Sequence, residues 1–292
     1  MREKNACPAP AVRLSFELST RLLFDMNKLF LLALAVVTPN AWAEPPAKID
    51  VSQLPSQARM IDEVIVPVPS EVFGVLDKIG QPHWEEILRR STGVVKPSGG
   101  AEQIALMLGS VIAEGFIAVE SQTAEEVKKI GKSVLSLSEG IGVKKAVQRR
   151  SQSIIDAADE KDWKKVRREL DGALSDVKDA MIELRSEELS QLVSLGGWLR
   201  GTEALSTVVK KNFSKDGAEL LHQPVLLDYF DKRVSTMNPR RQTPLVLKVR
   251  QGLLEIRQLI GTGEGGELSE KTVQEIEAIA GGLVKAINLK AN

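Results

Sequence analysis

Between Trp163 and Leu184 the apolar residues fall three and four positions apart for three heptads: Trp163, Val166, Leu170, Ala173, Val177, Ala180 and Leu184. The spacing recurs in Val127, Ile130, Val134, Leu137 and Ile141, and again in Val246, Val249, Leu253, Ile256 and Ile260. A fourth copy runs through Val273, Ile276, Ala280, Leu283 and Ile287. Such a repeat draws one apolar stripe along an α-helix, and each stripe must be covered by a helix packed nearly parallel or antiparallel to it.

The connections are short. Asp162 in "AADEKDW" is placed to cap a helix, so that 143–160 and 163–184 form an antiparallel pair. Thr123-Ala124-Glu125-Glu126 reads as a capping box, and Thr243-Pro244 as a cap followed by a first-turn proline. Pro82 opens a helix over "PHWEEILRR", while Pro224 and Asn238-Pro239 bracket a short helix around "VLLDYFDKRV". The expected fold is an all-α bundle of about eight mostly antiparallel helices over residues 70–292.

The preceding residues read differently. Pro45, Pro46, Pro55, Pro67 and Pro69 exclude a continuous helix from 44–69, which is expected to be an extended arm. Before it, Asn27-Lys28, the apolar run Leu29 to Val37, Pro39 and the A-x-A triplet Ala41-Trp42-Ala43 have the layout of a secretory signal peptide. The run is shorter than the ~20 residues of a membrane span. Translation is therefore expected to start at Met26 and cleavage to follow Ala43, with residues 1–25 an upstream extension. The single cysteine, Cys7, precedes the cleavage point. The mature chain is expected to be a soluble periplasmic protein without disulfide or lipid anchor.

Composition narrows the chemistry. Thirty-nine Lys/Arg balance thirty-nine Asp/Glu, so no basic domain points to nucleic acid. The two histidines are His83 and His222. His83 and Glu86 share a helix face, but one such pair falls short of the several inward carboxylates and Glu-x-x-His motifs of a bundle metal site, so no metal is expected. Gly261, Gly263 and Gly266 in "GTGEGG" match a dinucleotide fingerprint in spelling only, because a helix precedes them where a strand is required. No cofactor is expected. No G-x-S-x-G or P-loop pattern is present, and the acids Glu125-Glu126 and Glu187-Glu188 suit helix N-termini. Asp156, Asp159 and Glu160 are expected to neutralise Lys164, Lys165 and Arg168 across the turn at Asp162. Arg149, Arg150, Arg233, Arg240 and Arg241 are left to ordinary surface or an anionic partner.

One segment stands apart. Residues 101–120 form an apolar helix in which Glu114 is the only charge between Ile104 and Val119. Its length and its carboxylate favour the centre of a globular core over a membrane span. "LGSVIAEG" (108–115) has a faint echo in "LGGWLRG" (195–201), with Arg200 before Gly201 as Glu114 stands before Gly115. Gly109, Ala113, Gly115, Gly196, Gly197 and Gly201 would let the two helices approach closely. Either Glu114 and Arg200 then form an interior ion pair, or Glu114, Trp198 and Arg200 line a ligand pocket at the crossing. The reading that follows is an exported, non-enzymatic interaction or scaffold protein, with a periplasmic small-ligand binder using Glu114, Trp198 and Arg200 as the alternative. Its partner is expected to be another periplasmic protein or a small ligand.

Overall fold

The computed structural model describes residues 82–261 and 267–289, where every regular element is helical. These are α1 (Trp84–Ile87), α2 (Ala101–Glu120), α3 (Ala124–Gly140), α4 (Lys144–Asp159), α5 (Trp163–Glu183), α6 (Glu187–Lys211), α7 (Lys215–Glu219), α8 (Pro224–Ser235), α9 (Pro244–Leu259) and α10 (Glu270–Asn288). A single 3-10 turn, Pro239–Arg241, joins α8 to α9. The signal segment, the proline-rich arm, Gly263 and Gly266 lie outside the described residues.

The apolar stripes close where their spacing requires. Val246, Val249, Leu253, Ile256 and Ile260 are all buried, as are Val273, Ile276, Ala280, Leu283 and Ile287. The stripe of α5 is buried from Val166 to Val177, but Leu184 lies beyond the helix and is 57% exposed. Asp162 caps α5 through Lys165 N–H at 3.0 Å, and Thr243 caps α9 through Val246 N–H at 3.3 Å. The capping box at Thr123 does not form: the Thr123 side chain makes no cap, and Glu126 is drawn to another segment. The helix at Pro82 is a single turn, because the chain becomes extended at Leu88.

Helices α2 to α6 form an up-and-down meander built on one repeated turn. After α2, α3, α4 and α5 the chain spends three residues between helices, with the middle one at positive φ: Gln122, Gly142, Lys161 and Arg185. In each turn the following N–H reaches back five residues: Thr123 to Ala118, Val143 to Ser138, Asp162 to Ala157 and Ser186 to Met181. This is the Schellman closure, which satisfies carbonyls the helix end would leave open. Glycine fills the left-handed position only at Gly142, so nothing in the other three turns announces it.

Helix α2 is the axis of the bundle. Every residue from Ile104 to Val119 is buried. By length and composition it could cross a membrane, yet 89% of its apolar window lies inside the protein. Its chief neighbour is α6. There the two backbones meet: a Cβ on Gly109 would fall 1.8 Å from the Val193 carbonyl oxygen, and one on Gly196 would fall 2.0 Å from that of Leu106. Gly115 instead faces Leu170 of α5, and Gly201 faces open space. The close crossing is therefore made by Gly109, Gly196 and Gly197, with Gly115 and Gly201 outside it.

Candidate functional site: a buried ion pair beneath an extended strap

Beyond Ile87 the chain runs without regular structure across α2 and α3 before turning into α2 itself. An extended segment with no strand beside it among the described residues still has backbone groups to satisfy, and here side chains of the bundle satisfy several of them. The Ile87 carbonyl accepts from Arg200 Nη2 at 2.8 Å. Arg89 N–H donates to Glu114 Oε1 at 2.7 Å, and Ser91 N–H to Glu126 Oε2 at 3.1 Å. The Ser91 carbonyl accepts from Lys129 Nζ at 3.0 Å, and Val95 N–H donates to Ser133 Oγ at 2.9 Å. Residues 87–95 thus form a strap gripped through its main chain from α2, α3 and α6.

The other oxygen of Glu114 answers why a carboxylate stands in the core helix. Glu114 Oε2 accepts from Arg200 Nε at 2.6 Å, and Arg200 is 2% exposed. Glu203, one turn along α6, lies 3.4 Å from Arg200 Nη1 and also accepts from Arg89 Nη2. Two guanidiniums and two carboxylates thereby form a cluster with no net charge, the condition on which buried ions are tolerated.

Glu114 and Arg200 are brought together, whereas Trp198 is not. Positions two apart on a helix point to opposite sides, so Trp198 turns away from Arg200. Its indole N–H donates to Gln223 Oε1 at 2.9 Å, and its ring packs 5.5 Å from that of Phe230. Glu114 and Arg200 thus meet on one side of α6, while Trp198 faces α8.

A cavity of about 200 Å³ lies instead on the strap side of Glu114. Ser110, Val111 and Glu114 supply a stripe from α2, and Glu126, Lys129, Ile130 and Ser133 a stripe from α3. Arg89, Arg90, Ser91 and Val95 of the strap form its roof. Both carboxylates that reach it are already engaged, Glu114 by Arg200 and Glu126 by Lys129 at 2.7 Å. Two polar groups are not. Ser110 is 4% exposed and its hydroxyl makes no hydrogen bond among the described residues, although Ser133 and Ser206 bond carbonyls of their own helices. Arg90, on the roof, has no ion pair there either.

Ser110 and Arg90 are therefore the lining groups that retain hydrogen-bonding capacity among the described residues. His83 lies exposed before α1, and its helix neighbour Glu86 is taken by Lys211 of α6. Among the described residues no three His, Asp or Glu side chains converge as metal ligands would. The α2 stripe was legible as positions i, i+1 and i+4, and the α3 stripe as i, i+3, i+4 and i+7. The strap was not, since its partners lie 25 to 113 positions away.

The chain matches no family model, no curated protein and no solved structure.

Proposed function

We propose that the protein is an exported, non-catalytic helical protein that holds a small ligand in the cavity between α2, α3 and the strap. The observation that carries this reading is Ser110, which lines the cavity wall with its hydroxyl making no hydrogen bond among the described residues. A hydroxyl that faces a cavity without a protein partner is free to donate to and accept from an occupant. Val95, Val111 and Ile130 offer an apolar body site, and Arg90, which has no ion pair among the described residues, a place for an anionic end. A volume of about 200 Å³ is below the ~300–1,000 Å³ of sites for drug-sized molecules, so the ligand is small. The signal-like segment Leu29 to Ala43 supports export.

A titration with butyrate, followed by amide NMR, tests the chemistry. Saturable shifts at Ser110, Val111 and Ile130 that vanish in Ser110→Leu are expected, and native mass spectrometry of the exported protein should show a retained small mass that this variant lacks. Shifts scattered over the surface, with only the bare chain mass in both proteins, would overturn the reading.

The interaction or scaffold reading has its own support at the far end of α5. Ile182 and Leu184 stand 52% and 57% exposed there, two apolar side chains that the bundle does not cover.

A further inference from the structure

Helices α3 and α4 carry seven cationic residues: Lys128, Lys129, Lys132, Lys144, Lys145, Arg149 and Arg150. Four of them have acidic partners. Lys128 is held by Glu125 and Asp159, Lys129 by Glu126, Lys144 by Glu139, and Arg150 by Glu169 and Asp176. The remaining three have no ion pair among the described residues, and these same three line one groove between the helices.

The groove encloses about 670 Å³, and no carboxylate is among its lining residues. Lys132 enters from α3, Lys145 and Arg149 from α4, and the half-buried Leu135 and Ile155 provide apolar surface. Four of the five acids on these helices, Glu125, Glu126, Glu139 and Asp159, are already in the ion pairs just named. The fifth, Asp156, is hydrogen-bonded to a neutral amide, accepting from Gln152 Nε2 at 2.8 Å. Like charges gathered in one concavity repel one another and attract an anion. In a chain whose charges balance overall, this concentration is local.

We propose that this groove binds a phosphate monoester bearing an apolar substituent. A phosphate monoester carries about −1.5 to −2 charges near neutral pH, which suits three cations. Arg149 can engage two of its oxygens at once, and the lysines supply point charges to the others. Leu135 and Ile155 take the apolar substituent, which separates this ligand from inorganic phosphate. The site is separate from the cavity under the strap, and neither depends on the other.

The test is a titration of the full-length protein with hexyl phosphate and with inorganic phosphate, followed by amide NMR. Hexyl phosphate is expected to shift residues 132, 135, 145, 149 and 155 saturably and to bind about tenfold or more tighter than inorganic phosphate, because about two buried methylenes give that factor. Arg149→Gln and Lys145→Gln should each weaken binding several-fold. Lys144→Gln, whose parent side chain is already paired with Glu139, should leave it unchanged. All three sites are solvent-facing, so circular dichroism should show intact folds. Vesicles of phosphatidylcholine with and without phosphatidic acid identify the source. Co-sedimentation with the phosphatidic acid vesicles alone points to a lipid head group, and binding of hexyl phosphate without co-sedimentation to a free phosphate ester. Equal affinity for the two phosphates, an equal loss in Lys144→Gln, or no saturation below about 1 mM would overturn the proposal.

Discussion

The Arg200 guanidinium and the Glu114 carboxylate lie 2.6 Å apart with side-chain exposures of 2% and 12%, and each uses a second atom to hold the strap. Arg200 Nη2 binds the Ile87 carbonyl and Glu114 Oε1 binds the Arg89 N–H. The pair therefore joins α2 to α6 and fixes the roof of the cavity at once. Its cost in desolvation is offset only while both partners are present.

Removing one partner should expose this dependence. Arg200→Met is expected to lose about 3–5 kcal/mol of stability in urea denaturation, the usual cost of stranding a buried charge. Glu114→Met with Arg200→Met should cost less than the two single losses added together. Glu114→Gln retains an acceptor for Arg89 N–H and should keep that amide protected from hydrogen exchange, whereas Glu114→Leu should not. Additive losses, or equal protection in Gln and Leu variants, would contradict the coupling.

The helix crossing makes a prediction of opposite signs for the same substitution. Gly109→Ala and Gly196→Ala place a methyl within 1.8 and 2.0 Å of a carbonyl oxygen, and the backbone cannot yield as a side chain can. Each should lower stability by about 3 kcal/mol or prevent folding. Gly201→Ala meets nothing within 4 Å and should raise stability by up to about 1 kcal/mol through helix propensity. Thermal melts of the three variants decide it.

The repeated turn makes another. Lys161 and Arg185 sit at φ 56 and 52, a region that costs an L-residue roughly 1–2 kcal/mol. Glycine there loses more entropy on folding, so Lys161→Gly and Arg185→Gly should gain about 0.5–1 kcal/mol net. Gly142→Ala, at φ 80, should lose about 1 kcal/mol. The melting temperatures should rise for the first two and fall for the third.

Glu86 provides a pH test. The hydrogen bond from Lys211, with its charge in second place, holds the Glu86 carboxyl below the ordinary glutamate range. A carboxyl depressed in the folded state stabilises above its unfolded pKa, and that contribution disappears as pH falls through the folded value. A carboxyl-detected NMR titration should show Glu86 with a midpoint below the ordinary glutamate range, and Lys211→Met should return it to that range.

Much of the bundle was legible along the chain. Val246 to Ile260 and Val273 to Ile287 announce their helices by spacing alone, and Asp162 and Thr243 mark starts that the structure keeps. The limits are equally local. Three of the four left-handed turn residues are not glycine, because a turn closed by two backbone hydrogen bonds and packed helices can bear that strain. Glu126 carries the spelling of a capping box but lies on the stripe of α3 that faces the strap, so Ser91 and Lys129 take its oxygens. Trp198 stands beside Arg200 in sequence, but a two-residue step along α6 turns it to α8.

Periodicity, caps and small residues were enough to specify helices, their stripes and the possibility of a close α2–α6 approach, since these depend on neighbours within a turn or two. The tertiary structure decided which glycines meet, where the carboxylate in "SVIAEGFIAVES" points, and what covers it. Those outcomes depend on groups as far apart as Ile87 and Arg200. A buried charge finds its partner in space, and only the packed bundle brings α2, α6 and the strap together.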